Sequence, residues 1–131
     1  MADVPSVLFN LERYVALGIA GISIGSNDLT QLMLGADRDS ELAAKVFDER
    51  DPAVADYQRQ LITRARALGL QTSICGQAPS AYPEFTELLV GSGIDAISVN
   101  IDVVDRTRRL IAAAETRLLL ESARMRTKET S

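Results

Sequence analysis

What this chain lacks bounds its chemistry before any motif is read. There is no histidine among its 131 residues, which removes the commonest zinc ligand, the usual near-neutral general base and any phosphohistidine on this chain. A single cysteine can close no internal disulfide, in keeping with a reducing compartment, and a cytoplasmic location is expected. Tryptophan is absent and other aromatics are few. No apolar run approaches the roughly 18 residues needed to cross a bilayer, and no basic-then-apolar leader opens the chain, so no membrane association is expected. Acidic residues outnumber basic ones, 18 to 14, for a net charge of −4, and no Lys/Arg tract interrupts that balance, which argues against nucleic acid as a partner. With 47% apolar residues the composition fits one globular domain. The chemistry left to it must run on carboxylates, arginine, asparagine, serine, tyrosine and one thiol.

Hydrophobic spacing alternates between two periods along the chain. "PSVLFNLERYVAL" places Val7, Leu8, Leu11, Tyr14 and Val15 at helical spacing, opened by Pro5 or Ser6 and closed by Gly18. "AGISIGS" is a short glycine-bounded run that predicts a buried strand, and "NDLTQ" begins a loop or a turn of helix. "DSELAAKVFDE" predicts a helix capped by Asp39 or Ser40. "DPAVADYQRQLITRARALGL" predicts the clearest helix: Asp51 as cap, Pro52 at the first helical position, one stripe of Val54, Tyr57, Leu61, Ala65 and Leu68, and Gly69 as the stop. "QTSICG" and "DAISVN" predict further strands, "PEFTELLVGSG" a helix between them, and Asp102 opens a last helix, "VVDRTRRLIAAAETRLLLESA". Residues 1–124 form the domain and 125–131 a polar, frayed tail.

Strands separated by helices imply βαβ crossovers and a parallel sheet, an α/β fold whose site lies at the carboxyl ends of its strands. Asn27, Asp28, Cys75 and Asn100 then share one rim. Each has a local alternative. Asp28 serves equally well as a helix cap and Asn27 as a turn residue, Cys75 as a small buried hydrophobe, and Arg38 as a solvated surface charge. Their joint placement favours a site for a divalent cation and an anion, because a hard ion such as Mg²⁺ takes carboxylate oxygen and leaves positions open for substrate.

Four stretches in order, "ISIGSNDLTQLMLGADRDS", "FDERDPAV", "SICGQAPS" and "GIDAISVN", resemble the C-terminal part of the PEP-utilising enzymes, from Met1 to about Ala114. The resemblance implies part of a (β/α)₈ TIM barrel, roughly its last three to four β/α units. It also implies a phosphotransferase that interconverts pyruvate and phosphoenolpyruvate with Mg²⁺. Within it, Asp28 ligates the metal and Asn27 hydrogen-bonds the substrate. Arg38 holds the phosphoryl group, Cys75 exchanges a proton with the methylene carbon of the enolate, and backbone amides around Ser26 and Gly76 bind anionic oxygens. Where the family carries a glutamate as second magnesium ligand, "DVPS" places Asp3, one methylene shorter and one residue farther from Asn27.

The same resemblance implies that the first half of the barrel, the nucleotide-binding domain and the phosphohistidine domain are supplied elsewhere, and that this chain is inactive alone. Three parallel strands would then expose two unpaired edges and an apolar sheet face. The expected partner is another copy of this chain or a chain carrying the first half-barrel, with Leu110, Ile111, Leu118 and Leu119 as an apolar stripe on the last helix. The alternative is a non-catalytic remnant or oligomerising binding module of the same fold.

Overall fold

The computed structural model describes residues 1–37 and 39–129; Arg38, expected to hold a phosphoryl group, lies outside the described residues. The elements run α1 (Val7–Ala16), β1 (Gly21–Gly25), α2 (Ser26–Leu34), α3 (Pro52–Ala67), β2 (Gln71–Cys75), α4 (Ala78–Ala81), α5 (Pro83–Ser92), β3 (Ala96–Ser98), a 3₁₀ turn (Ile101–Val103) and α6 (Val104–Glu129). The three strands form one parallel sheet in the order β1-β2-β3, which bears out the α/β reading and is consistent with a partial barrel. Ala2 adds a stub of a further parallel strand. Its N–H donates to Ser23 O at 2.6 Å, and Gly25 N–H donates to Ala2 O at 3.2 Å.

Register explains which face of the sheet meets the helices. Ile22 pairs with Thr72, Ile24 with Ile74, and Ile74 with Ile97, so these side chains share one face. There they join Leu8 and Leu11 of α1, Leu29 of α2, Leu61 and Ile62 of α3, and Phe85 and Leu89 of α5 in a single core. Full burial of a side chain such as Leu61 contributes about 1.5–3 kcal/mol. The other face carries Gly21, Ser23, Gln71, Ser73, Cys75, Ala96 and Ser98 in matching register. This corrects the expectation of an apolar uncovered face: the strands alternate Ile with Ser, Gly or Cys, so the uncovered face carries small and polar side chains.

Helix α3 forms as its sequence dictates. Asp51 accepts the Ala53 N–H at 2.8 Å, Pro52 occupies the first turn, and Gly69 at φ +76° follows the end. Replacing Asp51 by alanine is expected to cost about 1 kcal/mol, read as a lower urea midpoint with unchanged slope. Between α2 and α3 the outcome differs. The stretch expected as a helix from Asp39 or Ser40 onward forms successive turns, with Ala44 N–H on Ser40 O at 2.7 Å and Phe47 N–H on Ala43 O at 3.1 Å. Leu42 and Val46, one helical turn apart, are 88% and 63% exposed, so no burial repays helix nucleation. At the far end, α6 continues past Ala123 to Glu129, because residues 124–129 contain no glycine or proline to stop it.

Arg50 ties the end of that turn-rich segment to the α4–α5 junction. Its guanidinium donates to both carboxylate oxygens of Asp48 at 3.0 Å and to Glu84 at 3.4 Å, and stacks 4.2 Å from the Tyr82 ring centre. The hydrogen bond from Arg50 holds the Asp48 carboxyl below its ordinary pKa. At the opposite end of the sheet, Thr72 donates its N–H (2.8 Å) and hydroxyl (3.0 Å) to Asp95, fixing the entry to β3 against β2.

Candidate functional site

The carboxyl ends of the strands form one rim, and its parts converge at the start of α2. Gly25, the last residue of β1, pairs with Cys75, the last of β2, and Cys75 pairs with Ser98, the last of β3. Ser26 follows Gly25 directly and is fully buried. Its hydroxyl lies 2.6 Å from Glu49 Oε1 and 3.1 Å from the carbonyl oxygen of Cys75, and its own carbonyl accepts from Thr30 Oγ1 at 2.7 Å. Gly76, at φ +147°, passes so near that a Cβ there would collide with Ser26 Oγ and stand 3.7 Å from Glu49 Oε1.

Asp3 reaches the same rim from the other side of β1. The Ala2 bridge sets its carboxylate against Gly25, where a Cβ would collide with Asp3 Oδ1. That oxygen is buried and has no hydrogen-bond partner among the described residues. Asp28 is exposed in the first turn of α2, where the helix dipole favours a carboxylate. The residue preceding the helix is Gly25, so Asp28 is not the cap. Asn27, half-buried, lies between Ser26 and Asp28.

The thiol of Cys75 donates to the Ile24 carbonyl at 3.5 Å. Beside it opens a cavity of about 270 Å³ lined by Cys75, Gly76, Gln77, Ser80, Ser98 and Asn100. Asn100, the fourth rim residue expected from the sequence, therefore meets Cys75 in this cavity, while Asp3, Ser26, Asn27 and Asp28 are not among its lining residues. The rim thus has two parts, an oxygen-rich side at Asp3 and Ser26–Asp28 and a thiol side at Cys75–Asn100, joined by the Ser26 hydroxyl. Among the described residues no group of three His, Cys, Asp or Glu could hold a metal ion.

Glu49 belongs to this junction although nothing in the local sequence assigns it a role. It stands in "FDERDPAV" between Asp48 and Arg50, a charged stretch of a kind usually solvated, yet it is only 8% exposed. A glutamate is rarely buried without a partner, and among the described residues one partner is a serine 23 residues away, which no local pattern reveals.

A family model described as "PEP-utilising enzyme, PEP-binding domain" matches residues 1–116. The probable phosphoenolpyruvate synthase of Staphylothermus marinus is 53% identical over 123 residues, covering 92% of this chain and 15% of that protein. The phosphoenolpyruvate synthase of Aeropyrum pernix is 54% identical over 123 residues, with 92% and 15% covered. That of Aquifex aeolicus is 50% identical over 118 residues, with 90% and 14% covered. The chain spans about 15% of the length of these curated relatives.

Proposed function

Because the chain belongs to the PEP-utilising enzymes, matching their PEP-binding domain, we propose that it is the C-terminal, phosphoenolpyruvate- or pyruvate-binding portion of a phosphoenolpyruvate synthase-like phosphotransferase. In this reading the three-stranded sheet is part of a (β/α)₈ barrel, and its rim is the barrel's substrate-binding mouth. The observation that carries the proposal is the junction of the two sides of the rim, where Ser26 Oγ meets the Cys75 carbonyl at 3.1 Å.

The division of the rim suits the two ends of the substrate. Asn27 hydrogen-bonds the three-carbon acid, and the amides of Ser26 and Gly76 face its anionic oxygens. Arg38 takes the phosphoryl group, a role suited to its planar fork of donors. Cys75 gives its sulfur-bound proton to the methylene carbon of the enolate, forming the pyruvate methyl group and leaving a thiolate; the reverse step returns the proton to sulfur. The phosphoryl group passes to an acceptor outside this chain, which contains no histidine.

Asp28 and Asp3 are the proposed ligands for Mg²⁺. The donor set fits: this ion commonly takes one or two carboxylates and completes its shell with water and substrate oxygen, and the buried, unpartnered Oδ1 of Asp3 is an acceptor awaiting a cation or a donor. When bound, Mg²⁺ supplies positive charge opposite the enolate oxygen.

Calorimetry with phosphoenolpyruvate and Mg²⁺ tests this reading. The wild-type chain is expected to bind, and Asp28→Ala to bind at least tenfold more weakly, as is wild type in excess EDTA. Absence of binding by wild type would instead favour a non-catalytic module. We also propose that the chain acts with a partner, either another copy or a chain carrying the first half-barrel. The three-residue strand β3 ends the sheet with an open edge; of the stripe expected on α6, Leu119 is 71% exposed, whereas Leu110, Ile111 and Leu118 are half-buried. Size-exclusion chromatography of the chain alone is expected to show a dimer or higher assembly at micromolar concentration; a stable, monodisperse monomer would refute self-association.

A further inference from the structure

We propose that Glu49 is a positioning residue of this site, holding its two sides at a fixed separation through the Ser26 hydroxyl. The inference rests on the phosphoenolpyruvate-binding reading above and adds a residue to which that reading gives no part.

Three chain segments meet at this point. Glu49 comes from the turn-rich segment before α3, Ser26 from the start of α2, and the Cys75 carbonyl from the end of β2. The one proton of the Ser26 hydroxyl points to Glu49 Oε1 at 2.6 Å, and the same oxygen lies 3.1 Å from the Cys75 carbonyl and where a Cβ at Gly76 would collide with it. Burying a carboxyl group is unfavourable unless its hydrogen bonds are made, so the group is a poor choice for mere filling. Its location is also specific. Its Oε1 lies 2.6 Å from Ser26 Oγ and 3.7 Å from where a Cβ at Gly76 would stand, so it sits where the start of α2 meets the end of β2.

The separation it sets is that between Asn27–Asp28 and Cys75–Gly76. One side is proposed to grip the oxygens of the substrate and the other to deliver a proton to its methylene carbon. Proton transfer to carbon tolerates little error in distance, and a shift of about 1 Å in positioning groups can lower a rate about 10²-fold. Glu49 touches neither substrate nor metal in this account; it acts through Ser26.

The test compares Glu49→Ala, Glu49→Gln and Ser26→Ala with wild type, using calorimetry with phosphoenolpyruvate and Mg²⁺ and the amide NMR spectrum of the ligand-free chain. Glutamine keeps an acceptor oxygen for the Ser26 hydroxyl, so its affinity should stay within threefold of wild type. Glu49→Ala and Ser26→Ala should each bind at least tenfold more weakly while the Gly76 amide resonance moves and those of Ser73 and Ile74 do not. A purely structural role would lower the melting temperature yet leave the affinity of the folded protein unchanged, and that result would overturn the proposal. Should Glu49→Ala fail to fold, Ser26→Ala carries the same comparison. If wild type does not bind, the functional reading fails by itself. The positional link is then decided by the ligand-free spectra: a Gly76 resonance unmoved in Glu49→Ala and Ser26→Ala overturns it, and one moved in both with Glu49→Gln unchanged upholds it.

Discussion

Replacing Gly76 by alanine is expected to destabilise the chain by about 2–4 kcal/mol, the sum of two separate costs of about 1–2 kcal/mol each. One is conformational: at φ +147° the backbone occupies a region open essentially to glycine alone. The other is steric, because the new methyl group would collide with Ser26 Oγ. Ser26 cannot retreat. It is fully buried, its hydroxyl is engaged by Glu49 and by the Cys75 carbonyl, and its backbone begins α2. With roughly 4 °C per kcal/mol for a domain of this size, the melting temperature should fall by about 8–16 °C. Gly35→Ala is the control: it also has positive φ (+60°), but nothing stands within 4 Å of its Cβ position, so only about 1 kcal/mol is expected. Equal losses at the two glycines would show that the contact with Ser26 contributes nothing.

Replacing Cys75 by alanine is expected to lower the exchange of pyruvate methyl hydrogens for solvent deuterium by about 10²–10⁴-fold, the range for removal of a general acid–base group. The measurement is the loss of the methyl proton signal in deuterated buffer with Mg²⁺, on this chain together with the half-barrel partner proposed above. The fold should survive the change. The side chain lies on the sheet face away from the helices, outside the core that contains Ile24 and Ile74, and gives up one long contact with the Ile24 carbonyl. Affinity for phosphoenolpyruvate should therefore change little while exchange collapses. Exchange persisting near the wild-type rate would remove Cys75 from the mechanism and assign the proton to another group.

The elements that proved legible in the sequence are those whose signals are local. Asp51, Pro52 and Gly69 bracket α3 because a cap, a fixed φ and a positive φ are each set within a few residues. The glycine-bounded runs "GISIG" and "QTSIC" became strands in register, and because the register is parallel and unshifted, Gly25 and Cys75 finish together. Asn27, Asp28 and Cys75 could therefore be assigned to one rim from order alone. The alternation of Ile with Ser and Gly makes the outer face polar, against the apolar face that an open half-barrel leads one to expect.

What failed depended on partners far away in the chain. Leu42 and Val46 have helical spacing, but that spacing forms a helix only where a surface exists to receive the apolar face, and none does. Glu49 has an unremarkable local sequence, and its burial beneath the rim arises only because α2, β2 and the segment before α3 close on one another. The sequence by itself determined the alternating α/β order, the chemical inventory of the rim and the membership of the family. Only the tertiary structure decided that Asp3 would lie against Gly25, that Cys75 would face away from the core, and that a buried carboxyl would link the two sides of the rim. Caps and periodicities act over a few residues along the chain, whereas these contacts exist only after segments 22 to 49 residues apart have been brought together by folding.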